Sequence, residues 1–179
     1  RRRKMHQPAE LPPTVLAESM RRFPTVRFAQ SYGMTELSPV ATMLTPADHM
    51  PGTPPQRLRS AGRPISSAEV MIADPQDHEC PQGQVGQILV RGPMVMQGYW
   101  NKPELSAETL RGGWMHTGDS GYFDADGYLY VVDRIKDMII SGGENVYSTE
   151  VENAVATHPD VAQCAVIGIP SERWGEAVH

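Results

Sequence analysis

Glycine and proline constrain this chain more than any other feature. There are 16 of each among its 179 residues, above ordinary usage. Glycine lacks a Cβ and proline presets a turn dihedral, so the pair predicts many turns and backbone able to lie close against a ligand. The elements between them must be short.

Pro12 and Pro13 suit the opening turn of a helix. The spacing predicts one over 12–22, with Val15, Leu16, Met20 and Phe23 on one face. A short strand over 26–29 then runs into the turn-like Ser31-Tyr32-Gly33-Met34-Thr35-Glu36. Residues 46–64 are proline-rich and aperiodic, which predicts a surface loop. Strands follow at 69–73 and 85–91, broken by Asp74-Pro75 and Gln82-Gly83. Residues 102–110 read as a short helix with Pro103 in its first turn. Tyr122-Phe123 and the strand 128–132 flank Asp124-Ala125-Asp126-Gly127, a hairpin signal. A strand over 138–140 ends at Gly142-Gly143. The helix predicted over 150–157 has Thr149 and Glu152 at capping-box spacing and Pro159 as its stop. A last strand covers 161–169. The fold class is mixed α/β (α+β), with short antiparallel strands in the middle. Residues 138–179 hold one helix and about two strands. Segments under roughly 40 residues seldom bury an independent core. The tail therefore docks on the rest or has its sheet completed from outside this chain, and the second is expected.

Composition excludes several partners. A net charge of −5 gives no reason to expect nucleic acid or an anionic membrane. No apolar run reaches the roughly 20 residues that span a bilayer. Arg1-Arg2-Arg3-Lys4 has no apolar signal-peptide core behind it and reads as a solvated end or a truncation scar. Cys80 and Cys164 fit neither metal-ligand spacing nor a disulfide framework, so a reducing compartment, the cytoplasm, is the expected location.

Three constellations carry chemistry. In Tyr32-Gly33-Met34-Thr35-Glu36, a ring can stack on a flat base and glycine permits close backbone approach. The Thr35 hydroxyl can donate to phosphate, and the Glu36 carboxylate is a hard ligand for Mg²⁺. A tight turn explains the segment equally well. In Thr117-Gly118-Asp119, the carboxylate could accept both hydroxyls of a ribose, or it could bond its own turn backbone. In Asp133-Arg134-Ile135-Lys136-Asp137, followed by Ser141-Gly142-Gly143-Glu144-Asn145, Arg134 could donate to sugar or phosphate through its planar fork. A solvated charge cluster before a β-turn is the plainer reading.

Taken together these segments resemble the adenylate-forming (AMP-binding) superfamily, in its acyl-CoA synthetase branch. Tyr-Gly-Met-Thr-Glu, Thr-Gly-Asp and Asp-Arg-Ile-Lys-Asp-Met-Ile-Ile-Ser-Gly-Gly-Glu-Asn-Val-Tyr occur in the family's order and approximate spacing. Gly98-Tyr99-Trp100-Asn101-Lys102-Pro103-Glu104 matches a fourth family segment. The resemblance assigns residues 1–134 to the end of the large AMP-binding domain, with short antiparallel strands of its β-barrel-like subdomain. It makes 135–137 a hinge and 138–179 the start of the small C-terminal α+β domain.

The resemblance implies an ATP-dependent activation of a carboxylic acid as acyl-adenylate, followed by transfer to coenzyme A. ATP/AMP, Mg²⁺ and CoA are then the small molecules bound. Thr35 and Glu36 are the expected catalytic pair, with Glu36 on the metal. Tyr32 packs on the adenine and Gly33 lines the nucleotide pocket, Asp119 and Arg134 hold the ribose hydroxyls, Lys136 is the hinge, and Gly142 and Gly143 form the loop that approaches the site for thioester formation. His116 reads as a turn or surface residue, since neither attack needs a general base there. A medium- or long-chain fatty acid is the expected acid, with aryl acids behind it. Met34, Met94, Met96 and Met115 could line a greasy channel, though methionine more often fills core gaps.

Some family segments are missing. The chain shows no Ser/Thr/Gly-rich phosphate loop, no Gly-Gly-Ala-like stretch in 1–10 and no small-domain catalytic lysine. It is therefore expected to be an internal fragment with little adenylation activity alone. An amino-acid-activating domain of a peptide synthetase is the nearest alternative. Such domains usually carry a Gly-Phe-Arg-Ile-Glu-like run after the hinge, where this chain has Gly-Gly-Glu-Asn-Val-Tyr-Ser-Thr-Glu-Val-Glu. A non-catalytic nucleotide-binding remnant is the alternative from another class.

Overall fold

The computed structural model describes residues 13–158 and 160–179. The basic run at the N-terminus, Pro12 and the expected stop at Pro159 lie outside them. Helix α1 (Pro13–Arg22) agrees with the predicted helix. Its expected apolar face does not hold together. Leu16 is buried, but Val15 and Phe23 are 48% and 56% exposed. The strand expected over 26–29 is absent, and a backbone bond from Val26 N to Phe23 O makes a turn there instead.

A first antiparallel sheet is made of β1 (Gln30–Tyr32), β2 (Thr42–Leu44) and β3 (Arg63–Pro64), in that order. Within 46–64 lie two short 3₁₀ turns, Pro46–His49 and Arg57–Arg59. This stretch is not wholly superficial. Ser60, Ala61 and Gly62 are buried, and Ala61 N donates to Leu129 O at 2.7 Å while Leu129 N donates to Gly62 O at 2.8 Å. Buried backbone needs such partners, and here they tie the loop to the next sheet.

That second sheet carries the core. Strands β4 (Glu69–Ala73) and β5 (Gly86–Arg91) come first, and helix α2 (Pro103–Thr109, with Pro103 in its first turn) precedes β6 (Met115–Phe123) and β7 (Leu129–Arg134). All pairs are antiparallel, in the order β4-β5-β6-β7. The three central residues of β5, Ile88, Leu89 and Val90, are fully buried, as an inner strand covered on both faces requires. Strand β7 alternates, with Leu129, Val131 and Asp133 inward. Leu37, Ala41, Met115 and Tyr32 pack on Ile88, Val90 and Leu129 in one cluster. A fully buried aliphatic side chain contributes about 1.5–3 kcal/mol. The β6–β7 hairpin forms where Asp124-Ala125-Asp126-Gly127 predicted it, with Asp124 Oδ1 accepting from the Asp126 and Tyr128 amides.

Strand β6 begins at Met115, so Thr117-Gly118-Asp119 lies in a strand and not in a turn. The tail contains β8 (Ile139–Ser141), β9 (Glu144–Val146), α3 (Ser148–Val155), β10 (Gly168–Ser171) and β11 (Gly175–Val178). Its four strands order as β10-β11-β8-β9. Of the strand expected over 161–169 only Gly168 and Ile169 lie in a strand, the start of β10, while Val166 N donates to Glu152 Oε1 at 2.9 Å and not to a ladder. The same contact removes Glu152 from the expected capping box. No side chain of the N-cap residue Tyr147 caps α3. Asp133 does so from β7, its Oδ2 accepting from Ser148 Oγ at 2.8 Å and Thr149 N at 3.3 Å. Among the described residues no helix is long and apolar enough to cross a membrane.

Candidate active site

The first constellation grows from the β1–β2 hairpin. Ala41 N donates to Tyr32 O at 2.8 Å, and Leu37 N to Met34 O at 2.9 Å. Thr35–Leu37 forms a 3₁₀ turn anchored by the buried Leu37. A Cβ on Gly33 would lie 1.7 Å from the Pro39 carbonyl oxygen. The close approach inferred for Gly33 is thus made first by the hairpin's own backbone, because Pro39 and Val40 fold back over it.

Tyr32, Asp119 and Arg134 are brought together. Asp119 and Arg134 are cross-strand partners in β6 and β7, just before a bulge at Ser120/Gly121. The Tyr32 hydroxyl donates to Asp119 Oδ2 at 2.8 Å, and Arg134 Nε lies 3.5 Å from Oδ1. Thr117 fixes the strand beneath them: its Oγ1 donates to Ile88 O at 2.7 Å and accepts from Asp119 N at 3.1 Å. Asp119 therefore does not fold onto its own turn. Burial pushes its carboxyl above the usual range, against the pull of the Tyr32 hydroxyl, Arg134 and Lys136. Burial and then the Asp119 charge push the Tyr32 phenol well up, so it is a protonated donor at every physiological pH. Tyr32 is only 7% exposed, so little of its ring faces outward. Lys136 sits exposed in the 3₁₀ turn Ile135–Asp137.

Thr35 is exposed and Glu36 half-buried, one turn beyond Tyr32. Glu36 is fixed from the other side: Tyr99 Oη donates to its Oε1 at 2.9 Å, and Met96 N to its carbonyl at 2.8 Å. Among the described residues no three His, Cys, Asp or Glu side chains cluster to cage a metal. A lone carboxylate with a free oxygen still fits Mg²⁺, which takes one or two carboxylates and completes its shell with phosphate and water.

Gly142 and Gly143 occupy the two-residue turn between β8 and β9, with φ of 62° and 89°. Both positions of such a turn need positive φ, which favours glycine. Gly142 N donates to Trp174 O at 2.9 Å, so the contacts of this turn run to the β10–β11 hairpin and not to the Tyr32–Asp119–Arg134 group.

The sequence reading missed three residues of consequence. His116 is buried in β6, not on the surface: its Nε2 lies 3.0 Å from Asp77 Oδ1, and Asp77 also receives Arg111. Asp133 was visible only as a member of a charge cluster. Tyr99 had one signal, its place in the Gly98–Glu104 segment. The methionines are mainly core fillers. Met115 lies in the core and Met34 and Met94 pack against it, while Met96 borders an open groove with Leu110 and Trp114.

Fold and sequence profile together define the class of protein: this chain belongs to the AMP-binding enzyme family, with residues 5–100 matching the AMP-binding enzyme and residues 150–179 its C-terminal domain. It is similar to a medium/long-chain-fatty-acid–CoA ligase of Mycobacterium tuberculosis, at 49% identity over 93% of this chain and 28% of that protein. It is 51% identical to a feruloyl-CoA synthase of an Amycolatopsis species, over 83% of this chain and 29% of that one. The solved structure of o-succinylbenzoate CoA synthetase of Bacillus subtilis, in complex with its acyl-adenylate intermediate, superposes with a TM-score of 0.83 at 39% identity, covering 95% of this chain and 34% of that one. The chain thus spans under a third of the length of these two curated relatives.

Proposed function

We propose that this chain forms the nucleotide-holding portion of an ATP-dependent acid–thiol ligase of the cytoplasm. A carboxylate oxygen attacks the α-phosphorus of ATP and pyrophosphate leaves with the bridging oxygen. The thiol sulfur of coenzyme A then attacks the acyl carbon of the adenylate, and AMP departs. The observation that carries this reading is the meeting of Tyr32, Asp119 and Arg134 at 2.8 and 3.5 Å, although 87 residues separate Tyr32 from Asp119.

In this reading Asp119 accepts the ribose hydroxyls, Arg134 donates beside it, and Tyr32 with Gly33 borders the adenine. Thr35 donates to phosphate. Glu36 holds Mg²⁺, which neutralises charge building on the phosphate oxygens. Lys136 lies in a hinge over 135–137, which joins large-domain residues 1–134 to small-domain residues 138–179. Gly142 and Gly143 belong to the turn that serves the thioester step. The acid is a medium- or long-chain fatty acid. The likeness to the mycobacterial ligase supports that choice, and the feruloyl-CoA synthase makes an aryl acid its competitor.

Calorimetric titration of the chain with ATP, AMP and a non-hydrolysable acyl-adenylate analogue tests this function. The analogue is expected to bind tightest, because it resembles the reacting state. Asp119→Ala is expected to weaken all three at least about tenfold, having lost a charge-assisted pair. Equal binding by wild type and Asp119→Ala would refute the assignment, as would no binding of any of the three.

A further inference from the structure

We propose that Tyr99 is a positioning residue that aims the Glu36 carboxylate at the metal, an inference that rests on the metal role given to Glu36 above. Tyr99 lies on the loop before α2, 63 residues from Glu36, and donates its hydroxyl to Glu36 Oε1 at 2.9 Å. That bond occupies one carboxylate oxygen and leaves Oε2 to a cation. Without it the side chain is free to rotate about its terminal torsions. The carbonyl of the same residue is held by Met96 N at 2.8 Å, so the loop grips Glu36 at both ends.

Tyr99 is itself braced. Its amide donates to Ser106 Oγ in α2 at 2.8 Å, and that hydroxyl donates to Lys102 O at 2.7 Å. Lys102 N closes the turn by donating to Tyr99 O at 3.2 Å. The loop backs so closely onto α2 that a Cβ on Gly98 would come within 3.0 Å of Ser106 Oγ. A rigid element therefore holds the loop, the loop holds the phenol, and the phenol holds the acid. Ligand carboxylates held by an outer partner in this way bind metal about 10–100-fold more tightly than when that partner is removed.

The test compares the 179-residue wild-type chain with Tyr99→Phe, Glu36→Gln and the double variant. Each is titrated with ATP in the presence of Mn²⁺ and again with EDTA, with the bound Mn²⁺ followed by electron paramagnetic resonance. The ratio of the two affinities is the gain due to metal. Tyr99→Phe is expected to cut that ratio about tenfold, to leave metal-free ATP affinity within about twofold, and to add nothing in the Glu36→Gln background. A ratio unchanged in Tyr99→Phe but reduced in Glu36→Gln would overturn the role of Tyr99 while leaving that of Glu36 standing. A ratio unchanged in Glu36→Gln, or no metal-dependent gain in wild type, would overturn both. Equal loss of metal-free and metal-bound affinity in Tyr99→Phe would also overturn the proposal, because that marks loop packing alone.

Discussion

Asp133→Ala is the most informative single perturbation of the fold. Asp133 is buried in β7 and caps α3 across the turn Ile135–Asp137, accepting from Ser148 Oγ at 2.8 Å, Thr149 N at 3.3 Å and Thr149 Oγ1 at 3.4 Å. Ser148 is 1% exposed, so no water replaces the lost acceptor. Loss of an N-cap acceptor costs about 1 kcal/mol, and a buried hydroxyl left unpaired costs about 1–3 kcal/mol more. The expected loss is about 2–4 kcal/mol, which for a chain of this size lowers Tm by roughly 5–15 °C. Denaturant melts followed by circular dichroism measure it. Ser148→Ala removes the orphaned hydroxyl, so the double variant should recover about 1–2 kcal/mol relative to additivity. A loss under about 0.5 kcal/mol for Asp133→Ala, or strict additivity with Ser148→Ala, would refute the capping argument.

Three further perturbations have definite signs. Asp119 has its folded pKa raised by burial, so its ionisation penalises the fold at neutral pH and that penalty disappears as pH falls below about 4; Asp119→Asn should therefore raise Tm at pH 7, by an amount that vanishes in acid, while weakening AMP binding, and thermal melts across pH check both. Asp77 is shifted the other way, its carboxyl held low by His116 and then Arg111. Its contribution is present above about pH 4 and lost as pH falls, so His116→Ala should melt lower at neutral pH and have a flatter acid limb. Gly33→Ala drives a methyl into the Pro39 carbonyl and should destabilise by about 3 kcal/mol or more, the upper end of overpacking, as read from denaturant midpoints.

Much of the central sheet was legible because its signals are local. The apolar runs at 69–73 and 85–91 and the Asp-Ala-Asp-Gly hairpin need no distant partner to declare themselves, and β4, β5 and the β6–β7 turn stand where they were expected. Several of the failures involve bonds between residues distant in sequence. Thr149 and Glu152 have the spacing of a capping box, yet Asp133 accepts at the start of α3 and the Val166 amide occupies the Glu152 carboxylate. The run over 161–169 reads as one strand, yet Glu152 claims the Val166 amide and only its last two residues enter β10. Val15 and Phe23 look like core residues because helical periodicity says which residues share a face, not what covers that face. At the candidate site, residue types and order were legible in Tyr32, Asp119 and Arg134. What joins them is a tertiary hydrogen bond between a phenol and a carboxylate, and no spacing encodes it. His116 was misplaced for the same reason, since its partner Asp77 lies 39 residues away.

Amide NMR of the chain titrated with AMP tests the proposed nucleotide cradle most directly. The expected result is saturable shifts at Tyr32, Gly33, Gly118, Asp119 and Arg134 that fit one dissociation constant and disappear in Asp119→Ala. Shifts confined to other surfaces, such as the loop around Arg57 and Arg63, or separate dissociation constants for Tyr32 and Arg134, would contradict it.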